Sequence, residues 1–258
     1  MIEQGSARCL DEPVEAVIFD WGGTLSEWVL IEMEDMWELA AEHIAVETGG
    51  EPQAIKMQLA LVENRLWEEC VGFSGARSFR LVDIFKVASD ELGVDVAEAV
   101  LEEAALRHLD SWTEHVVHDA EAKTTLASLK ARGIRTGLLS NTHWPEHFHE
   151  HFLQRDGLAE FLDICVYSSN EPEMKPHPRI FQRVLAELDV RPERTLFVGD
   201  RQHDDIRGAQ GVGMRGVWKH TPHAFRAEGV TPDFVITALP DVLDICAGVN
   251  GGRPEGAQ

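Results

Sequence analysis

The sequence predicts an α/β fold whose parallel sheet is interrupted, after its first strand, by an all-helical segment. Three observations predict it. Short apolar runs at 16–19, 134–139, 164–167, 195–198, 215–218 and 234–236 read as buried strands. From residue 116 onward those runs alternate with helical patterns, as βαβ units require. Residues 28–115, by contrast, carry helical periodicity without a convincing strand.

The chain divides accordingly. Residues 1–13 are a polar lead-in ending at Pro13, and the first strand runs into Asp20-Trp21-Gly22-Gly23-Thr24. Apolar spacing predicts a helix over 31–48, stopped by Gly49-Gly50, and another that begins at Pro52, a residue a first helical turn tolerates. A loop over 72–78 and helices over 79–92 and 96–112 complete the segment. Beyond it, helices are expected at 120–132, 143–155 (Pro145 in its first turn), 179–188, 204–211 and 240–246. Residues 248–258 have the composition of a disordered tail. The expected domains are an α/β core of 1–27 plus 116–258 and a helical domain of 28–115.

Composition narrows the function. A hydrophobic content of 44% and a charged content of 26% suit a globular chain with a substantial core. A net charge of -22 argues against a nucleic-acid or anionic-membrane surface; it suits a cation as partner, or serves solubility alone. Cys9, Cys70, Cys165 and Cys246 are widely spaced and read as reduced, mostly buried thiols. No apolar run spans a membrane and the acidic N-terminus is no signal peptide, so a soluble cytoplasmic protein is expected.

Three predicted strands end in polar residues at one sheet edge: Asp20, Ser140-Asn141 and Asp200. Open α/β sheets bind ligands at that edge. Gly22-Gly23 permits a sharp turn whose free amides can cradle an anion, and Thr24 adds a hydroxyl. Lys175 sits in a proline-stiffened loop, Glu173-Met174-Lys175-Pro176-His177-Pro178. Phosphoryl transfer needs a nucleophile, donors for phosphate oxygens, a cation and carboxylates for a divalent metal, and these residues offer one set.

The segments Phe-Asp-x-x-Gly-Thr-Leu, Ser-Asn, Lys-Pro-x-Pro and Val-Gly-Asp with a second acid resemble, in order and spacing, the four motifs of the haloacid dehalogenase (HAD) superfamily, and the helical insert resembles its C1-type cap. The resemblance implies a Rossmann-like core with a helical cap and a phosphohydrolase acting on a small phosphorylated metabolite. It implies Asp20 as the nucleophile that forms an aspartyl-phosphate. Gly23, Thr24, Ser140, Asn141 and Lys175 would hold the phosphate, and Asp20, Asp200, Asp205 and the Gly22 carbonyl would hold Mg2+. A hard cation with carboxylate ligands agrees with that choice. Asp204 is expected to support or cap rather than to ligate.

One position departs from the pattern. Hydrolytic members carry an aspartate two residues after the nucleophile, where this chain has Gly22. A glycine cannot move a proton, and general acid–base catalysis is worth about 10²- to 10⁴-fold. The expectation is slow turnover, or specialisation for good leaving groups such as acyl phosphates. Glu27 and His143 are the substitute bases nearest in sequence. The rival readings are C–P bond hydrolysis of the phosphonatase type, with Lys56 or Lys86 as Schiff-base lysine on otherwise solvated helix faces, and a catalytically weak phospho-ligand binder or interaction protein.

Further features carry two readings each. His143, His147 and His151, with His149, would place three imidazoles on one helical face, as a transition-metal site or as a solvated face. Arg77 and Arg80, with Phe73 and Phe79, could meet an anionic or aromatic substrate group or belong to ordinary surface. Trp28, Trp37, Trp67 and Trp112 are packing residues of the cap and hinges, or one of them lines a substrate pocket.

Overall fold

A computed structural model describes residues 12–29, 31–72, 76–222 and 225–248. Cys9, Phe73, most of the predicted lead-in and the tail after Gly248 lie outside the described residues. Six parallel strands form one sheet: β1 (Ala16–Phe19), β2 (Arg135–Ser140), β3 (Ile164–Tyr167), β4 (Thr195–Gly199), β5 (Arg215–Lys219) and β6 (Phe234–Ile236), in the order β3-β2-β1-β4-β5-β6. The chain fills one side of β1 and then the other, so the direction of strand addition reverses between β1 and β4. That reversal opens a crevice at the carboxyl ends of the strands.

β1 is buried on both faces. Val17 and Phe19 join a core with Leu126, Phe152 and Val242, whereas Ala16 and Ile18 join a second core with Ile180, Phe181, Val184 and Leu188. Two-residue alternation across the pleat explains the split, and burial on both faces explains why the run is wholly apolar. The register pairs Phe19 with Leu138 and with Val198, which brings the residues following β1, β2 and β4 side by side.

Among the described residues of 28–115 lie a 3-10 turn at Met33–Trp37 and four helices, α1 (Glu38–Thr48), α2 (Pro52–Gly72), α3 (Leu81–Leu92) and α4 (Glu98–Trp112), inserted between β1 and the helix that leads into β2. α1 ends where Gly49 adopts a left-handed φ of 73°, as the glycine pair predicts. The predicted 31–48 helix begins later than expected, because the polar stretch before Trp37 forms the tighter 3-10 turn. The two chain segments entering and leaving this insert are stitched together. Glu27 N–H donates to Val117 and Asp119 N–H to Leu25, each at 2.9 Å.

The remaining helices are α5 (Ala122–Ala131), α6 (Glu146–Arg155), α7 (Pro178–Leu188), α8 (Gly208–Gly211), which continues a π-helical turn at Gln202–Arg207, and α9 (Asp241–Cys246). α6 corrects the expectation for 143–155. Pro145 is its N-cap with extended backbone, so His143 precedes the helix. Cys70, Cys165 and Cys246 are unpaired as expected but only half-buried. Among the described residues no helix is long and apolar enough to cross a membrane.

Candidate active site

The three strand-end polar groups converge. Asp20 follows β1 and its N–H donates to the Val198 carbonyl at 2.9 Å, which locks the residue to the neighbouring strand. Lys175, fully buried, donates through Nζ to Asp20 Oδ1 at 2.6 Å and to Asp205 Oδ1 at 2.7 Å. Carboxylate oxygens of Asp20, Asp200 and Asp205 all lie within 4.8 Å of one another. Asp205 Oδ2 also accepts the Arg201 amide at 2.9 Å.

Electrostatics in this cluster are unbalanced. Burial, and next the charge of Asp20, push Asp200 up to about 6. Burial likewise raises Asp205, Lys175 opposing and the two neighbouring carboxylates adding to it. Burial works against the charge on Lys175, but Asp20 and Asp205 outweigh it, and its pKa is raised. One lysine among three buried carboxylates leaves negative charge uncompensated.

The cluster is chemically suited to a hard divalent cation. Asp200 Oδ1 and Thr24 Oγ1 are buried without a hydrogen-bond partner among the described residues. Orphaned oxygens cost free energy unless something satisfies them. Oxygen donors alone, mostly anionic, make up the set that Mg2+ prefers.

The glycine turn is shaped around these oxygens. Gly23 has φ of 74°, and a Cβ there would collide with the Trp28 indole and with Asp200. Gly22 is different, since nothing lies within 4 Å of where its Cβ would be. A Cβ at this position meets open space among the described residues.

Asn141 does more than its motif suggests. It grips the Lys175 backbone at both ends, Nδ2 donating to the carbonyl at 2.9 Å and Oδ1 accepting the amide at 2.8 Å. The side chain thereby sets where Lys175 stands, with one amide hydrogen left over. Ser140 is buried at the end of β2.

Other expectations separate. His143 and His149 are buried, whereas His147 and His151 are exposed, so the three-imidazole helical face does not exist. His143 stacks on Phe79 at 5.6 Å, and its nearest carboxylate is Glu63 Oε1 at 3.6 Å. Among the described residues Asp20 accepts no hydrogen bond from His143 or Glu27, and the Glu27 side chain is exposed. Lys56 is buried rather than solvated and donates to Asp35 at 2.7 Å and Glu38 at 2.6 Å; those two bonds raise its pKa and keep it a cation. Lys86 is exposed as expected. Arg77 and Arg80 are exposed, and Arg80 joins Asp83 in capping α3. Trp37 is fully buried in the insert and Phe79 packs on Trp67 at 4.8 Å, while Trp28 leaves the insert for the site: its Nε1 donates to Asp200 Oδ2 at 2.9 Å. Asp204 faces His203 at 2.8 Å.

Two supports escaped the sequence reading. Lys219 Nζ, buried at the end of β5, donates to the Thr24 carbonyl and to Asp119, both at 2.8 Å, tying the glycine turn to the returning linker. A lysine closing an apolar strand at the ligand edge is the signal that could have found it. Trp21 Nε1 donates to His118 Nε2 at 3.2 Å, and His118 Nδ1 lies 2.6 Å from Asp156, an order in which Nδ1 carries the proton. Spacing across nearly a hundred residues hides that chain.

With this geometry in hand, the comparisons decide the family: residues 14–213 match the haloacid dehalogenase-like hydrolase family. The chain belongs to that family. Its relatives include a glyceraldehyde 3-phosphate phosphatase of Pyrococcus furiosus, 36% identical over 138 residues (52% of this chain, 56% of the relative). Another is the pyrophosphatase PpaX of Bacillus mycoides, 34% identical over 130 residues (49% of this chain, 59% of the relative). The alignments thus span little more than half the length of either relative. Among solved structures, a HAD phosphatase from Thermococcus onnurineus superposes with a TM-score of 0.61 at 21% identity, covering 92% of this chain and 99% of the other. A 2-haloacid dehalogenase from Pseudomonas syringae pv. Tomato DC3000 gives 0.67 at 24%, covering 91% and 98%. Both likenesses speak for the HAD fold.

Proposed function

We propose that this HAD-like hydrolase is a Mg2+-dependent phosphohydrolase of small phosphorylated metabolites, specialised for good leaving groups. The observation that carries the reading is Lys175 bridging Asp20 and Asp205 at 2.6 and 2.7 Å, with Asp200 in the same cluster. Residues 28–115 act in this reading as a cap on the core of 1–27 and 116–258, excluding water during reaction. Asp20, Asp200, Asp205 and the Gly22 carbonyl would hold Mg2+, which supplies charge neutralisation for the phosphoryl oxygens.

The chain's own residues account for the rest. Lys175 occupies one oxygen of Asp20, which leaves the other as nucleophile toward phosphorus. A bond from that oxygen to phosphorus forms as the bond to the leaving oxygen breaks, and the leaving group departs with the electron pair. Gly23, Thr24, Ser140 and the remaining Asn141 hydrogen donate to phosphate oxygens, and Lys175 balances their charge. Because Gly22 offers no proton, the departing oxygen must be stable as an anion, as in an acyl phosphate or activated aryl ester. Water then cleaves the aspartyl-phosphate slowly.

The test is phosphoryl trapping. Incubation with acetyl phosphate and Mg2+ should leave phosphate on Asp20, identified by peptide mass and hydroxylamine lability and absent from Asp20→Asn. Phosphate release should rise as leaving-group pKa falls. A protein that never becomes phosphorylated but binds phosphate with Mg2+ would be a binder, and the reading would fail.

A further inference from the structure

Arg201 follows Asp200 directly, and its amide is fixed on Asp205 Oδ2 at 2.9 Å, so its Cα is anchored at the site. Its guanidinium is bracketed by two rings, 4.5 Å from the Phe225 centroid and 5.6 Å from that of Trp28. Each ring is held in turn. Trp28 donates to Asp200, and Phe225 is laced to the same segment by Phe225 N–H to the Asp200 carbonyl and Gln202 N–H to the Phe225 carbonyl, at 3.1 and 2.9 Å. The rings meet edge to face at 6.0 Å.

The arginine is oriented, and its only close carboxylate among the described residues is a long ion-pair contact. Among the described residues its guanidinium makes no hydrogen bond; its ion-pair partner is Asp204, whose Oδ2 stands 3.9 Å from Nη1, beyond hydrogen-bond distance, while His203 engages the other oxygen, Oδ1. In a chain with 45 acids to 23 basic residues, a preorganised, partly exposed guanidinium with no carboxylate within hydrogen-bond distance among the described residues has its donor fork free for a ligand. Lys175 is already committed to Asp20 and Asp205. Trp28 and Phe225 remain 38% and 50% exposed, so a pair of large apolar rings faces solvent beside the site. Exposed aromatics flanking an oriented cation mark a binding surface.

We propose that Arg201, clamped between Trp28 and Phe225 beside Asp200, is a specificity-determining residue that selects substrates whose leaving group carries a second anion. A carboxylate or a second phosphate supplies the same chemistry, two oxygens for the guanidinium fork. The inference rests on the phosphoryl reading of Asp20 and its neighbours, and names the substrate class for that site.

Binding of non-hydrolysable probes at fixed free Mg2+ tests it without turnover. Methylphosphonate carries one anionic group, phosphonoacetate adds a carboxylate and methylenediphosphonate a second phosphonate. Wild-type protein should prefer the two-anion probes, and Arg201→Ala should cut that preference by roughly 10- to 100-fold, the range for hydrogen bonds to a charged group. Arg201→Lys should recover part of it. Phe225→Leu, which leaves the cation but frees it, should lower it partially. The larger gain between phosphonoacetate and methylenediphosphonate identifies the natural second anion. A preference unchanged in Arg201→Ala overturns the proposal, as does a wild type that favours phenylphosphonate instead, since the rings would then be the recognition element. Failure of methylphosphonate itself to bind would overturn the phosphoryl reading as well, whereas normal methylphosphonate binding with no gain from a second anion sinks only the role of Arg201.

Discussion

Trp28 donates its indole N–H to Oδ2 of Asp200 at 2.9 Å, while Oδ1 of the same carboxylate is buried and has no hydrogen-bond partner among the described residues. One oxygen is therefore fixed by the linker and the other is presented to the acidic cluster. Partners that orient a metal-binding carboxylate typically control affinity by about 10- to 100-fold. Trp28→Phe should accordingly weaken Mg2+ binding by about tenfold, measured by calorimetric titration. An equal or higher affinity would show that the indole competes for Asp200 rather than orienting it.

Among the described residues nothing lies within 4 Å of where a Cβ on Gly22 would stand, and its φ is not in the left-handed region. Gly22→Asp should therefore fold as the parent does and restore the proton donor that alkyl phosphates require. Hydrolysis of an alkyl phosphate should rise by about 10²-fold or more, with a smaller gain for acetyl phosphate, whose leaving group needs no proton. A folded variant with the same ratio of the two rates would count against the proposed cause of slow turnover.

The legible and illegible parts of the site differ in range. Asp20, Lys175 and Asp200 were readable because each closes a recognisable local pattern, a buried strand or a proline-stiffened loop, whereas Asp205, inside the turn after β4, was legible only through the resemblance of its motif; the sheet order does the rest. The double grip of Asn141 on Lys175 and the reach of Lys219 to Thr24 depend on strands far apart in sequence, which no periodicity encodes. The histidine-rich stretch misled for a simpler reason. Pro145 starts α6 after His143, so even spacing in sequence did not become one helical face. Lys56 looked solvated because its partners come from another part of the insert, Asp35 from the turn before α1 and Glu38 from the first residue of α1.

Buried imidazoles make the fold acid-sensitive. Burial lowers His108 and His149 to about 3, and depresses His143 in the same direction. A histidine held neutral in the folded chain takes up its proton first in the unfolded one, so stability is full above about pH 6.5 and falls as pH drops toward 3. At pH 5 each of His108 and His149 costs about 2 kcal/mol. His149→Gln should shrink the stability difference between pH 7 and pH 5, read from urea midpoints, by about that amount. A difference the same as in the parent would place the acid response elsewhere.

Glu63 acts with the opposite sign. Burial, opposed by the indoles of Trp37 and Trp67, raises its pKa to about 7. Trp37 donates to Oε2 at 2.9 Å, and the neutral ring of His143 offers it no counter-charge. The folded chain keeps the proton while the unfolded one loses it above about pH 4.5, so this group costs stability as pH rises from 4.5 to 7, by about 3 kcal/mol in full. Glutamine keeps an acceptor for Trp37 and never ionises. Glu63→Gln should therefore stabilise the protein at pH 8, by up to about 3 kcal/mol, and change it little at pH 5. Equal urea midpoint shifts at both pH values would mean that Glu63 acts through packing and not through its charge.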